Sequence, residues 1–141
     1  PDSCRMVIDR RYLIEESLDE VKDEVMSILD DLTRTRHNFD YRIRDLMEVI
    51  PTMTDRDAPV VRAVADGIRE VLAKSPDYVI SPGSYDQKHI ARIGHLHDCI
   101  AYGPGILDLA HRPDEIVGID DMVDSAKVMA QATMALLGMA R

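Results

Sequence analysis

Leu18, Val21, Val25, Ile28, Leu29 and Leu32 recur at three- and four-residue intervals through an otherwise charged stretch. That spacing puts them on one face of a helix, with Asp19, Glu20, Lys22, Asp23 and Glu24 on the other. Ser17 followed by Glu20 has the form of a capping box, and the early acids sit at the positive end of the helix dipole. The pattern predicts a helix over residues 17–35. Val60, Val61, Val64, Ile68, Val71 and Leu72 form a second stripe. It opens at Asp57-Ala58-Pro59, where proline suits a first helical turn, and stops at Lys74-Ser75-Pro76. A further helix is predicted over 119–139, with Met122, Val123, Ala126, Met129, Ala130, Met134 and Leu137 as its inner face.

Between these stretches the period falls to two. Phe39, Tyr41 and Ile43 alternate with Asp40, Arg42 and Arg44, which predicts a half-exposed strand over 38–49. The β-branched run over 4–9 predicts another, and shorter strands are expected at 77–80 and, buried, at 99–102. The interleaving of both periods implies a mixed α/β (α+β) fold. Residues 81–115 differ in character. Pro82, Gly83, Gly94, Gly103, Pro104, Gly105 and Pro113 crowd there around one short helix near 86–93, together with four of the five histidines. Loops held by a scaffold are where chemistry tends to sit.

Composition narrows the function. The 26 Asp+Glu against 17 Lys+Arg leave a net charge of −9, which argues against nucleic acid or an anionic membrane as main partner. A hydrophobic content of 45% is too high for disorder, and no apolar run approaches the roughly 20 residues of a membrane span. Cys4 and Cys99 have no partner spacing and read as reduced thiols of a cytosolic protein. His95-x-His97-Asp98-Cys99 is the densest set of metal-ligand types, yet it has no third ligand at defined spacing, and solvent-facing histidines explain it as well. Gly103-Pro104-Gly105 permits close backbone approach by a ligand; for the glycines alone an ordinary strand-to-loop turn is the favoured reading. His111, among Asp108, Arg112, Asp114 and Glu115, is either a solvated loop residue or a ligand, and by residue pattern alone the solvated alternative leads. The polar turn 81–86 enters a helix whose exposed N–H groups suit a carboxylate-bearing ligand or serve plain capping.

In order, these segments resemble something specific. Gly83-Ser84-Tyr85-Asp86-Gln87-Lys88-His89, Asp98-Cys99-Ile100-Ala101-Tyr102-Gly103-Pro104-Gly105 and Ala110-His111-Arg112-Pro113-Asp114-Glu115, then a terminal helix after Gly118, resemble the C-terminal part of the M20 metallopeptidase family. The resemblance is to its acetylornithine deacetylase / succinyl-diaminopimelate desuccinylase group, and it covers nearly the whole chain. Val7-Ile8-Asp9-Arg10-Arg11 and the acidic helix after it are similar to the latter half of that family's lid, or dimerisation, domain. The resemblance implies a zinc-ligand role for His111. It places Gly83, Ser84, Asp86, Gly103 and Gly105 around the substrate pocket, and it leaves Arg10 between substrate contact and an ion pair with the helix acids. His95 and His97 match no ligand position of the family.

The resemblance further implies an amidohydrolase in which two zinc ions activate a water while a glutamate takes its proton. The family's His-x-Asp motif is not in this sequence, and the Glu15-Glu16 pair falls in the lid segment rather than where the family's Glu-Glu base would stand, so no catalytic residue is expected here. With no initiator methionine, the chain reads as a C-terminal fragment, expected to be inactive alone. Residues 1–50 would be the second half of a ferredoxin-like lid, and 51–141 the end of the zinc-dependent catalytic domain. The implied substrate is an N-acyl amino acid or a dipeptide, and the implied assembly a cytoplasmic homodimer. One imidazole discriminates poorly among zinc, cobalt and manganese. The alternative is a non-catalytic α/β module that dimerises or binds a small ligand.

Overall fold

The computed structural model describes residues 2–81, 83 and 85–139. Its regular elements are four helices: α1 (Leu18–Thr35), α2 (Pro59–Leu72), α3 (Gln87–Gly94) and α4 (Ile119–Leu136), with a 3₁₀ turn at Leu107–Leu109. The chain divides into two compact units, Pro1–Met53 and Thr54–Arg141.

The first unit is built on α1. Its start is the expected capping box: the Ser17 hydroxyl accepts the Glu20 N–H at 3.1 Å, and the Glu20 carboxylate accepts the Ser17 N–H at 3.2 Å. These bonds satisfy donors that a helix start leaves open. The residues before the helix fold against it through Arg10, which pairs with Glu16 at 2.8 Å and Glu24 at 3.3 Å. The residues after it run back along it. The Tyr41 hydroxyl donates to Asp30 at 2.7 Å. Nearer the helix start, the Lys22 ammonium meets Asp45 at 3.0 Å and Glu48. Polar contacts therefore dominate this unit. Val21 is buried, whereas Met6, Val7, Ile8, Ile43, Leu46 and Met47 are each more than half exposed.

The second unit is a helix pair. On α2 the buried positions are Val61, Ala65 and Gly67; on α4 they are Ser125, Val128 and Ala132. Small residues let the two backbones approach, and Val128, fully buried, fills the crossing. A Cβ on Gly67 would lie 3.1 Å from the Val128 carbonyl oxygen, so any side chain here would push the helices apart by a few tenths of an ångström. α4 ends in a Schellman motif. Gly138 takes φ 68°, its N–H meets the Ala135 carbonyl at 3.3 Å, and the Met139 N–H meets that of Met134 at 2.9 Å.

The structure corrects two expectations. The mixed α/β fold class is wrong for this structure: among the described residues there is no strand or sheet. Residues 4–9, 38–49, 77–80 and 99–102 do not pair as ladders. A strand exists only through a partner edge, and these segments spend their contacts elsewhere. Tyr41, Asp45 and Glu48 of 38–49 bond to α1 through their side chains, as does Arg10 just after 4–9, while the Cys99 N–H is taken at 3.1 Å by the Thr54 hydroxyl. Segment 99–102 is also only partly covered, with Ala101 exposed. The second correction is the inner face of α4. Met122, Val123, Met129 and Leu137 are 44–70% exposed, and the face against α2 carries Ser125, Val128 and Ala132. α4 is apolar around most of its girth, so its period did not single out a face, and close approach at Gly67 selected the small side chains.

Candidate functional site

The expected pocket residues fall in two loops of the second unit. The first, around 81–86, is closed by its own side chains. The Ser81 hydroxyl accepts the Gly83 N–H at 3.2 Å and bonds to the Tyr85 hydroxyl at 2.8 Å. A Cβ on Gly83 would meet the far end of the Tyr85 ring at 3.0 Å, a contact the exposed tyrosine can relieve by moving. Ser84 lies outside the described residues. Asp86 precedes α3, but only its carbonyl serves the helix, accepting the His89 and Ile90 N–H groups at 2.8 and 3.0 Å. Its side chain makes no cap bond and is exposed.

The second loop runs from Gly103 to Gly118. Just before it, Tyr102 is half-buried beside Ser125 and Asp124 of α4; burial pushes its phenol pKa up, and the Ser125 hydroxyl opposes that shift. Gly103 has open space where a side chain would stand. Gly105 takes φ 99°, a conformation that requires glycine, with Val117 alongside. The chain then winds through the 3₁₀ turn Leu107–Leu109 into two consecutive tight turns. In the first, Ala110 has φ −58° and ψ 136°, His111 has φ 63°, and the Arg112 N–H donates to the Leu109 carbonyl at 3.2 Å. That is a type II turn with histidine in the place that ordinarily takes glycine or asparagine. A side chain there costs about 1 kcal/mol. In the second turn Pro113 follows Arg112, and the Glu115 N–H returns to the Arg112 carbonyl at 3.2 Å. The Glu115 carboxylate thereby accepts the His111 backbone N–H at 2.9 Å. His111 itself is exposed.

The other histidine pair takes structural places. His95 closes α3 at φ 53°, and the His97 carbonyl accepts from Cys99 at 2.9 Å and from the Thr54 hydroxyl at 3.1 Å. Arg10, open between two roles in the sequence, forms the ion pairs with Glu16 and Glu24. Among the described residues, no three His, Cys, Asp or Glu side chains group so as to hold a metal ion. A catalytic zinc takes three or more protein ligands, so the residues present do not make a zinc site by themselves. Sequence reasoning gave Glu115 no role. Its signal was the His111-to-Glu115 interval with Pro113 between, a spacing that two linked turns fold back on itself. No helix is long and apolar enough to cross a membrane among the described residues.

Comparison with known proteins gives a consistent answer. Over 137 residues, 97% of this chain, it is 28% identical to succinyl-diaminopimelate desuccinylase of Marinobacter nauticus, covering 34% of that protein. It is 27% identical over 138 residues to acetylornithine deacetylase of Myxococcus xanthus, 98% of this chain and 34% of the relative. The succinyl-diaminopimelate desuccinylase of Aromatoleum aromaticum is 26% identical over 137 residues. The chain thus spans about a third of the length of these relatives. No solved structure matches it. The model of peptidase family M20/M25/M40 matches residues 5–135, nearly the full length, and the chain belongs to that family.

Proposed function

We propose that this chain is part of a metal-dependent amidohydrolase that cleaves the N-acyl amide of an amino acid or a dipeptide, with zinc as its metal. The observation that carries the reading is His111, an exposed imidazole held in a turn position that favours glycine. Unlike the positive-φ residues Ala73 and His95, which close helices, His111 stands in a loop turn, and strain at such positions clusters at active sites and ligand clamps. Family membership and the desuccinylase and deacetylase relatives support the reaction class. In this reading His111 supplies one ligand, and the others come from parts of the protein outside this stretch. Gly103 and Gly105 place no Cβ of their own on the neighbouring loop, and Gly83, Ser84 and Asp86 supply a polar sequence before α3; both would line the substrate's side of the site. Residues 1–50 would belong to a lid that also forms a homodimer, and 51–141 to the catalytic domain. The division between Met53 and Thr54 supports that assignment.

The test is an amide-hydrolysis assay with N-acetylated and N-succinylated amino acids, run on the whole protein and on this 141-residue chain. Hydrolysis by the whole protein that depends on added metal, with none by the chain alone, supports the reading. Turnover by the isolated chain with zinc would overturn the view that the remaining ligands lie elsewhere.

A further inference from the structure

We infer that Glu115 is a positioning residue: its carboxylate clamps the His111 backbone in the left-handed conformation that presents the imidazole from the loop. Its importance for function rests on the reading of His111 as a ligand, but the clamp itself stands on the loop geometry. Two turns sharing Arg112 follow each other. The first places His111 at φ 63° between the Leu109 carbonyl and the Arg112 N–H, a conformation its single turn bond does not enforce alone. The second, with Pro113 presetting its corner, returns the chain so that Glu115 lies over the first. A type II turn leaves the N–H of its third residue outside the turn's own hydrogen bond. At His111 that N–H meets Glu115 Oε2 at 2.9 Å. The bond is charge-assisted and stronger than a neutral one, and it offsets the penalty of a β-carbon at positive φ. Without it His111 would relax toward negative φ, rotating its Cα–Cβ bond and carrying the ring away from its present direction.

The test uses the whole protein with two variants, Glu115→Ala, which removes the acceptor, and Glu115→Gln, which keeps an amide oxygen of similar reach. Hydrogen exchange at the His111 amide reads the clamp directly. The loss of one hydrogen bond predicts exchange between about 2- and 10-fold faster in Glu115→Ala, with Glu115→Gln returned most of the way to wild type. Metal retention against a chelator reads the consequence: it weakens in Glu115→Ala by more than the small fall in unfolding midpoint that one lost hydrogen bond brings, and it is rescued in Glu115→Gln. Wild-type exchange in Glu115→Ala, or a Gln variant as fast as the Ala variant, would overturn the inference. Should the wild-type protein hold no metal and cleave no amide, the proposed function fails, while exchange at His111 still decides the clamp.

Discussion

Gly67→Ala adds a single methyl group at the tightest point of the α2–α4 crossing. Two effects oppose each other there. Alanine is favoured over glycine within a helix by about 1 kcal/mol. The new Cβ, however, would lie 3.1 Å from the Val128 carbonyl oxygen, 3.2 Å from its Cγ1 and 3.5 Å from its Cα. Two of those three atoms are backbone and cannot swing aside, and Val128 is fully buried, so its side chain has nowhere to rotate. The helices must separate by a few tenths of an ångström, loosening contacts at Val61, Ala65 and Ala132. Overpacking of this kind costs about 1–3 kcal/mol, so the expected net loss is about 1 kcal/mol. Urea unfolding followed by far-UV circular dichroism checks it, with the midpoint falling by roughly 0.5 M for a slope near 2 kcal/mol/M. The double variant Gly67→Ala/Val128→Ala removes the Cγ1 contact and should lose less than the sum of the single variants, a coupling of at least about 0.5 kcal/mol. A midpoint that rises in Gly67→Ala would mean helix propensity governs, and the close-approach argument would be refuted.

Other consequences follow from the same contacts. Ser17→Ala removes the α1 cap and should cost about 1 kcal/mol in helix stability, read as reduced helicity on mild heating. The Leu13 N–H and Arg10 hold Glu16 below the usual carboxylate range, and Lys22 does the same for Asp45. Their contribution is therefore complete above the ordinary carboxylate pKa and lost as pH falls through the depressed values. The helicity of α1 should drop with acid and less steeply in Asp45→Asn; an unchanged acid transition would reject the Lys22 contact. The partner effect on Lys22 and Arg10, whose pKa values are raised, disappears only in strong alkali. At the His111 turn, His111→Gly should be more stable than His111→Ala by about 1 kcal/mol because only glycine tolerates positive φ without strain. Equal thermal midpoints would contradict the turn assignment. Thr54→Val removes the hydroxyl that serves the Cys99 N–H and should lower stability by about 1 kcal/mol, seen in thermal unfolding.

The helices were legible because each carries its own evidence: α1 a capping box and an apolar stripe, α2 a proline at its start. Those signals are local, so they survive whatever surrounds the segment. The predicted strands depend on a neighbour, and alternation at Phe39, Tyr41 and Ile43 cannot state whether an edge is there to pair with. The face of α4 was hidden for a different reason. Met122, Met129 and Leu137 are larger and more apolar than Ser125 and Ala132, yet steric fit at Gly67 chose the small residues. In the candidate site, Gly105 announced its positive φ through its residue type, whereas His111 did not, because histidine is an unusual occupant of that turn position. The Glu115 contact was visible only once the two turns were built.

The central claim is that His111 is a metal ligand whose partner ligands lie outside this stretch. Metal analysis of the whole protein beside its His111→Ala variant, with amide hydrolysis followed on the same samples, tests it most directly. The account predicts that the variant loses bound metal and hydrolysis together while its helicity stays at the wild-type level. A variant that keeps its full metal content and its turnover would contradict it.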